Sequence, residues 1–143
     1  MSDPQAVAEA SARSMYAQDR ASQALGMRIL EIRPGYARLA MTVREDMVNG
    51  HKICHGGLIF TLADSAFAFA CNTYDLVTVA SSGSIEFLLP VRLDEELTAI
   101  AEERSRSKRT GVYDVAVRNQ RGESVAMFRG RSHEIGGAIV ARP

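Results

Sequence analysis

At 143 residues the chain is long enough for one compact domain with a real core, and its 17 basic and 17 acidic side chains cancel, which removes any global pull toward nucleic acid or anionic lipid. Its longest apolar stretch, around residues 56–71, is interrupted by Thr61, Asp64 and Ser65 and falls short of the roughly 20 residues of a membrane-spanning helix. Charges scattered through the first 20 residues argue against a signal peptide, and two cysteines, Cys54 and Cys71, without CxxC spacing argue against a disulfide framework or structural zinc; a soluble, cytoplasmic protein without metal is expected.

The chain order begins with a helix over residues 3–24, capped by Asp3, started by Pro4 and stopped by Gly26. From Met27 the pattern turns to strand: MRILEIR and YARLAMTV flank the turn dipeptide Pro34-Gly35, and Ala37, Leu39, Met41 and Val43 alternate with Tyr36, Arg38, Ala40 and Thr42. Residues 57–71 read as a buried helix, since the segment is long, alanine-rich and opened by glycines. Four strands follow after Asp75: VTVASSGSIEFLLPV, DEELTAIAEERS, TGVYDVAVRNQ and SVAMFRGRSHEI. Tyr113, Val115 and Val117 share one face of the third, and NQRGE joins the last two with Gly122 free to take positive φ. One sheet covers only one side of an all-apolar helix, so the other side calls for a second protein surface, most simply a copy of the same chain in a two-fold dimer.

The chemistry concentrates in NGHKICHGGLIFTLADSAFAFACN, residues 49–72. His55-Gly56-Gly57 either makes a tight turn or presents unpaired N–H groups at a helix start, where the helix dipole favours an oxygen gaining negative charge. Asp64 lies eight residues past Gly56, about 12 Å along the same helix, too far to attack a carbonyl held there. Either Ser65, Thr61 or a backbone group satisfies its carboxylate, or it serves the glycine end of an antiparallel partner helix. His55 is a candidate base and Cys54 a candidate nucleophile, although no third residue stands out to orient that pair. His51 and His133 lack metal-ligand companions. Cys71, Phe60, Phe67 and Phe69 read as core or dimer packing. Arg104, Arg106, Lys108 and Arg109 form either a solvated hairpin end or a phosphate-binding cluster.

The string MVNGHKICHGGLIFTLADSAFAFACN resembles the signature of the hotdog-fold thioesterases, specifically their phenylacetate-degradation (PaaI-type) branch. SGSIEFLLPVRLDEELTAIAE and RTGVYDVAVRNQRGESVAMFRGRS are similar to that family's strands, so the likeness spans roughly residues 25–135. It implies an α+β hotdog fold, a long central helix wrapped by a curved antiparallel sheet, here with an extra N-terminal helix. The expected divisions are 1–26 for the helical segment, 27–137 for the thioesterase domain and 138–143 for a tail. It also implies homodimers assembling into homotetramers, and hydrolysis of acyl-CoA thioesters without a cofactor, coenzyme A being part of the substrate.

Carried over to this chain, the resemblance makes Gly56, with Gly57, the oxyanion donor and Asp64 of the partner subunit the catalytic carboxylate. Asn49 would orient thioester or water, and His55 would fix the loop or take part in proton transfer. Ser82, Gly83 and Ser84 would border the pantetheine, and Arg109, Thr110 and Gly111 would lie near the nucleotide. Asp64 acts either as general base or as nucleophile through a mixed anhydride. The expected reaction is hydrolysis of aryl or arylacetyl (phenylacetyl-type) CoA thioesters. A hotdog hydratase or dehydratase using His55 and a noncatalytic acyl-CoA sensor are the alternatives; no nucleic-acid or membrane partner is expected.

Overall fold

The computed structural model describes residues 3–140. Its first element is not one helix but two, α1 (Pro4–Gln18) and α2 (Arg20–Ala24), split at Asp19. The expectation of a continuous helix to residue 24 fails because Asp19 is itself a cap. Its backbone leaves helical geometry (φ −86°, ψ 87°), and its carboxylate takes the Ser22 N–H at 2.9 Å and the Ser22 hydroxyl at 2.6 Å. Aspartate competes with the helix ladder in this way wherever a short side chain reaches free N–H groups. Asp3 caps α1 through the Ala6 N–H at 3.2 Å, with Pro4 in the first turn as expected.

β1 (Arg28–Arg33) and β2 (Tyr36–Thr42) form the anticipated hairpin around Gly35, whose φ is +71°. The central helix α3 spans Gly56–Cys71, and β3 (Thr78–Phe87), β4 (Glu96–Ser107), β5 (Thr110–Arg118) and β6 (Ser124–Glu134) follow it. All six strands join one antiparallel sheet in the order β1-β2-β4-β5-β6-β3. Alternation puts Ala37, Leu39 and Met41 of β2 and Tyr113, Val115 and Val117 of β5 inward against α3, where Leu62, Ala63, Ala66 and Phe67 are buried. The sheet curls round this one helix, as a hotdog fold requires.

Two features of that sheet position the site. Gly83 and Gly130 are cross-strand partners on β3 and β6, and they face an aromatic cluster of Phe60, Phe67, Phe128 and Tyr113. A Cβ at Gly130 would meet Phe67 at 2.8 Å and one at Gly83 would meet Phe128 at 3.1 Å, so the glycines make room for the rings. At the sheet's far edge β3 pairs only with β6 and is exposed along most of its 10 residues, which leaves a row of backbone groups open.

The opposite edge is treated differently. α1 lies beside β1, where the Gln5 side-chain amide donates to Ile32 O at 2.7 Å, and Ala8 and Ala12 are buried beneath it. Ser22 of α2 meets Ser65 of α3 at 3.0 Å between hydroxyls. The N-terminal helices thus cover the β1 edge and the flank of α3. Asp75 receives the Ile139 and Val140 N–H groups at 2.9 Å, which ties down the start of the tail, while residues 1–2 and 141–143 lie outside the described residues.

Candidate active site

The loop before α3 is built by Asn49. Its side-chain oxygen accepts the N–H groups of His51 at 2.9 Å and Ile53 at 3.1 Å, and its own N–H donates to Ile53 O at 2.9 Å. These bonds close a tight turn with Lys52 at φ +60°. Beyond it, Cys54 N–H donates to Val91 O at 2.7 Å and His55 N–H to Met47 O at 2.9 Å, so backbone bonds on both sides fix where the helix begins. Among the described residues the amide nitrogen of Asn49 has no partner, whereas its oxygen is engaged twice by the loop.

His55 is the N-cap residue (φ −60°, ψ 135°) and caps with backbone only: its carbonyl accepts from Leu58 at 3.0 Å, and its exposed imidazole has no hydrogen-bond partner among the described residues. The N–H groups of Gly56 and Gly57 have no acceptor among the described residues, as the first helical turn dictates. The two glycines differ in their surroundings. A Cβ at Gly56 would lie 2.8 Å from Cζ of Phe87, while a Cβ at Gly57 would meet nothing within 4 Å. Phe87 at the end of β3 therefore packs on the helix start, a contact no local sequence pattern announces.

Asp64 is half-buried, and burial pushes its pKa above the ordinary carboxylate value. Among the described residues it accepts no hydrogen bond and joins no ion pair. Both hydroxyls that might have satisfied it are spent elsewhere: Thr61 donates to Gly57 O at 2.8 Å, and Ser65 is paired with Ser22. Cys54 is unsuited to nucleophilic work, because burial pushes its thiol up to about 11 and its Sγ points at the His55 carbonyl (3.5 Å) instead of the imidazole. Among the described residues no group of three or more His, Cys, Asp or Glu side chains is arranged to hold a metal.

The remaining predicted residues lie apart from Gly56 within one chain. Ser82 and Ser84 are exposed on β3 opposite Arg131 and Arg129, and with Gly83 they border a cavity of about 250 Å³ on that edge. Arg109, Thr110 and Gly111 follow the β4–β5 turn and sit near Cys71, roughly 22 Å down α3 from Gly56 at the usual helical rise. Thr110 closes that turn through Ser107 O at 3.3 Å, and a Cβ at Gly111 would strike the Ser132 hydroxyl and the Tyr113 ring at 2.9 Å. Of the four cations there, Arg104 bonds Asp114 at 3.0 Å and Arg106 lies 3.7 Å over the Tyr74 ring, whereas Lys108 and Arg109 have no side-chain partner among the described residues.

One chain thus presents a donor notch and an uncompensated carboxylate along a single helix, with two cations on the β4–β5 turn near its far end, the parts of an acyl-transfer site without their assembly. Comparison with known proteins agrees with that inventory. A sequence model of the Thioesterase superfamily matches residues 51–126. Acyl-coenzyme A thioesterase PaaI of Escherichia coli K12 is 49% identical over 129 residues, covering 90% of this chain and 92% of that protein. The structure of the E. coli PaaI protein from the phenylacetic acid degradation operon has a TM-score of 0.93 at 46% identity, covering 95% of this chain and 99% of that one. A hypothetical thioesterase of Streptococcus pneumoniae solved with coenzyme A has a TM-score of 0.75 at 28% identity, covering 78% of this chain and 88% of its own. Sheet, central helix and relatives agree, and the chain belongs to the thioesterase superfamily, as a hotdog-fold hydrolase of the PaaI-type acyl-CoA thioesterases.

Proposed function

We propose that the protein hydrolyses aryl or arylacetyl-CoA thioesters at sites shared between the two subunits of a homodimer. The observation that carries this reading is Asp64. A half-buried carboxylate with no partner among the described residues is costly unless something outside the chain uses it. Its distance from Gly56 on the same helix rules out joint action within one chain. An antiparallel partner helix brings Asp64 of the partner subunit to the glycine notch, and the open edge of β3 offers the backbone groups through which two sheets can join.

In that arrangement the thioester oxygen accepts hydrogen bonds from the Gly56 N–H, with Gly57 beside it, and negative charge builds on it as the carbonyl carbon becomes tetrahedral. Asp64 of the partner subunit either takes a proton from the attacking water or attacks the carbonyl carbon itself to give a mixed anhydride that water then cleaves. In both routes the C–S bond breaks and the thiolate leaves with its electron pair, later gaining a proton. Asn49, through its free amide nitrogen, orients thioester or water, and His55 shapes the rim. Ser82, Gly83 and Ser84 border the pantetheine arm, and Arg109 with Thr110 and Gly111 meets the nucleotide phosphates. The preference for an aryl or arylacetyl group rests on the similarity to PaaI of the phenylacetic acid degradation operon. Pairs of dimers complete a tetramer, and two free thiols suit a reducing cytoplasm.

Thiol release from a panel of acyl-CoAs tests the reading. Asp64→Asn should lower kcat about 10²- to 10⁴-fold, the usual effect of losing a general base. Mixing Asp64→Asn with Gly57→Val should form hybrid dimers with one intact site each, restoring about a quarter of wild-type activity for random exchange at equal amounts. Verified hybrids with no activity would refute the shared site.

A further inference from the structure

We infer that Ser22 is a positioning residue for the hydrolysis: acting through Ser65, it fixes how α3 is turned about its axis and so where the Asp64 carboxylate points; this rests on the reading that Asp64 is the catalytic carboxylate. Thr61 shows what a hydroxyl on this helix does by default, donating to the carbonyl four residues back, Gly57 O, at 2.8 Å. Ser65, one turn on, makes no such bond to Thr61 O among the described residues; its hydroxyl meets that of Ser22 on α2 at 3.0 Å. The direction of that bond follows from its neighbour. Ser22 has a single hydroxyl proton, and the Asp19 carboxylate, which only accepts, takes it at 2.6 Å. Ser65 is therefore the donor, in a chain that runs from Ser65 through Ser22 to Asp19.

Ser22 is 1% exposed, and its N–H is held by the other Asp19 oxygen at 2.9 Å, so the hydroxyl that grips α3 sits on a fixed base. A second contact lies one turn along the same face. The Tyr16 ring is 6.3 Å from that of Phe69, four residues past Ser65, and the Tyr16 hydroxyl donates to Met27 O at 2.6 Å. The sheet holds the inward side of α3 at Leu62, Ala66 and Phe67, and the N-terminal helices hold its flank at Ser65 and Phe69. Asp64 leaves the helix about 100° round from Ser65. A turn of about 10° carries a carboxylate roughly 6 Å from the axis through about 1 Å. Misplacement on that scale can slow a reaction about 10²-fold.

Thiol release from the acyl-CoA that wild type turns over fastest tests the assignment, with urea midpoints to show that each variant is folded. Ser22→Ala deletes the hydroxyl but leaves the N–H that Asp19 caps. It should lower kcat about 10- to 100-fold with KM within about twofold of wild type. Ser65→Ala should lose as much, and the double variant no more than either alone, whereas independent losses would multiply. Ser65→Thr keeps the donor at a half-buried position and should stay within about threefold of wild type. In an Asp64→Asn background Ser22→Ala should leave the residual rate unchanged to within about twofold, a result that general loosening of the fold would not give. Wild-type kcat in both alanine variants, losses that multiply in the double variant, or a change confined to KM would overturn the positioning role. Full activity of Asp64→Asn would instead strike the catalytic reading beneath it, and the two failures are told apart by which variant shows them.

Discussion

Replacing Gly56 by alanine drives a methyl group into the Phe87 ring, 2.8 Å from Cζ and 3.2 Å from both Cε atoms. Overpacking of this kind typically costs about 1–3 kcal/mol, and the half-exposed ring can swing toward solvent, so a loss near ~1 kcal/mol is expected. Gly57→Ala meets nothing within 4 Å and should stabilise by about 0.4–1 kcal/mol through the unfolded chain alone. Urea denaturation followed at constant m reads both changes. In a Phe87→Ala background the Gly56→Ala cost should vanish, a coupling of about 1 kcal/mol, well above the ~0.3–0.5 kcal/mol scatter of independent sites. Thiol release adds the functional half. Gly57→Ala should lose at least about tenfold in kcat/KM with stability intact, since one tenfold step needs only ~1.4 kcal/mol of transition-state stabilisation. A Gly56→Ala cost that persists without the Phe87 ring would refute the steric account, and wild-type turnover by Gly57→Ala would refute the placement of the thioester at that open side.

Burial raises the Asp64 pKa above its ordinary value of 3.8, so its protonated form stabilises the fold fully below that pH and the benefit is lost as pH rises through the folded-state pKa. Asp64→Asn should therefore be more stable than wild type at pH 7 and lose that advantage toward pH 3, which thermal melts across pH will show. The acidic limb of kcat/KM against pH should lie above the usual carboxylate range in wild type. Gly130→Ala should destabilise more than Gly56→Ala, nearer ~3 than ~1 kcal/mol, because Phe67, at 2.8 Å from the added methyl, is 1% exposed and has nowhere to move; urea midpoints compare the two. Asp19→Ala should cost about 1 kcal/mol by removing the cap of α2, read by the same titration.

The strands were legible because each is half-buried and its residues alternate, as in β5, where Tyr113, Val115 and Val117 turn inward while Asp114 faces out to Arg104 and Arg129. The buried helix was legible from composition, since a segment so apolar has few other places to go. Asp19 was misread because an acidic residue in an alanine-rich run looks like helix surface, and only the position of Ser22 three residues later makes it a cap. The bulk of what shapes the site was hidden for a different reason: it depends on tertiary approach. Nothing local to FLLP says that Phe87 will press on a glycine 31 residues earlier. Nor does Asn49 announce that its oxygen will be consumed by its own loop. The facing glycines 83 and 130 become intelligible only when the rings below them are seen.

The bare margin of β3 has a consequence for how this enzyme must be handled. In the proposed two-subunit arrangement the site is complete only when two copies meet, so specific activity should fall on dilution instead of staying constant. A strand edge left open in this way also pairs with foreign strands, which makes a newly made chain prone to clumping until that edge is covered.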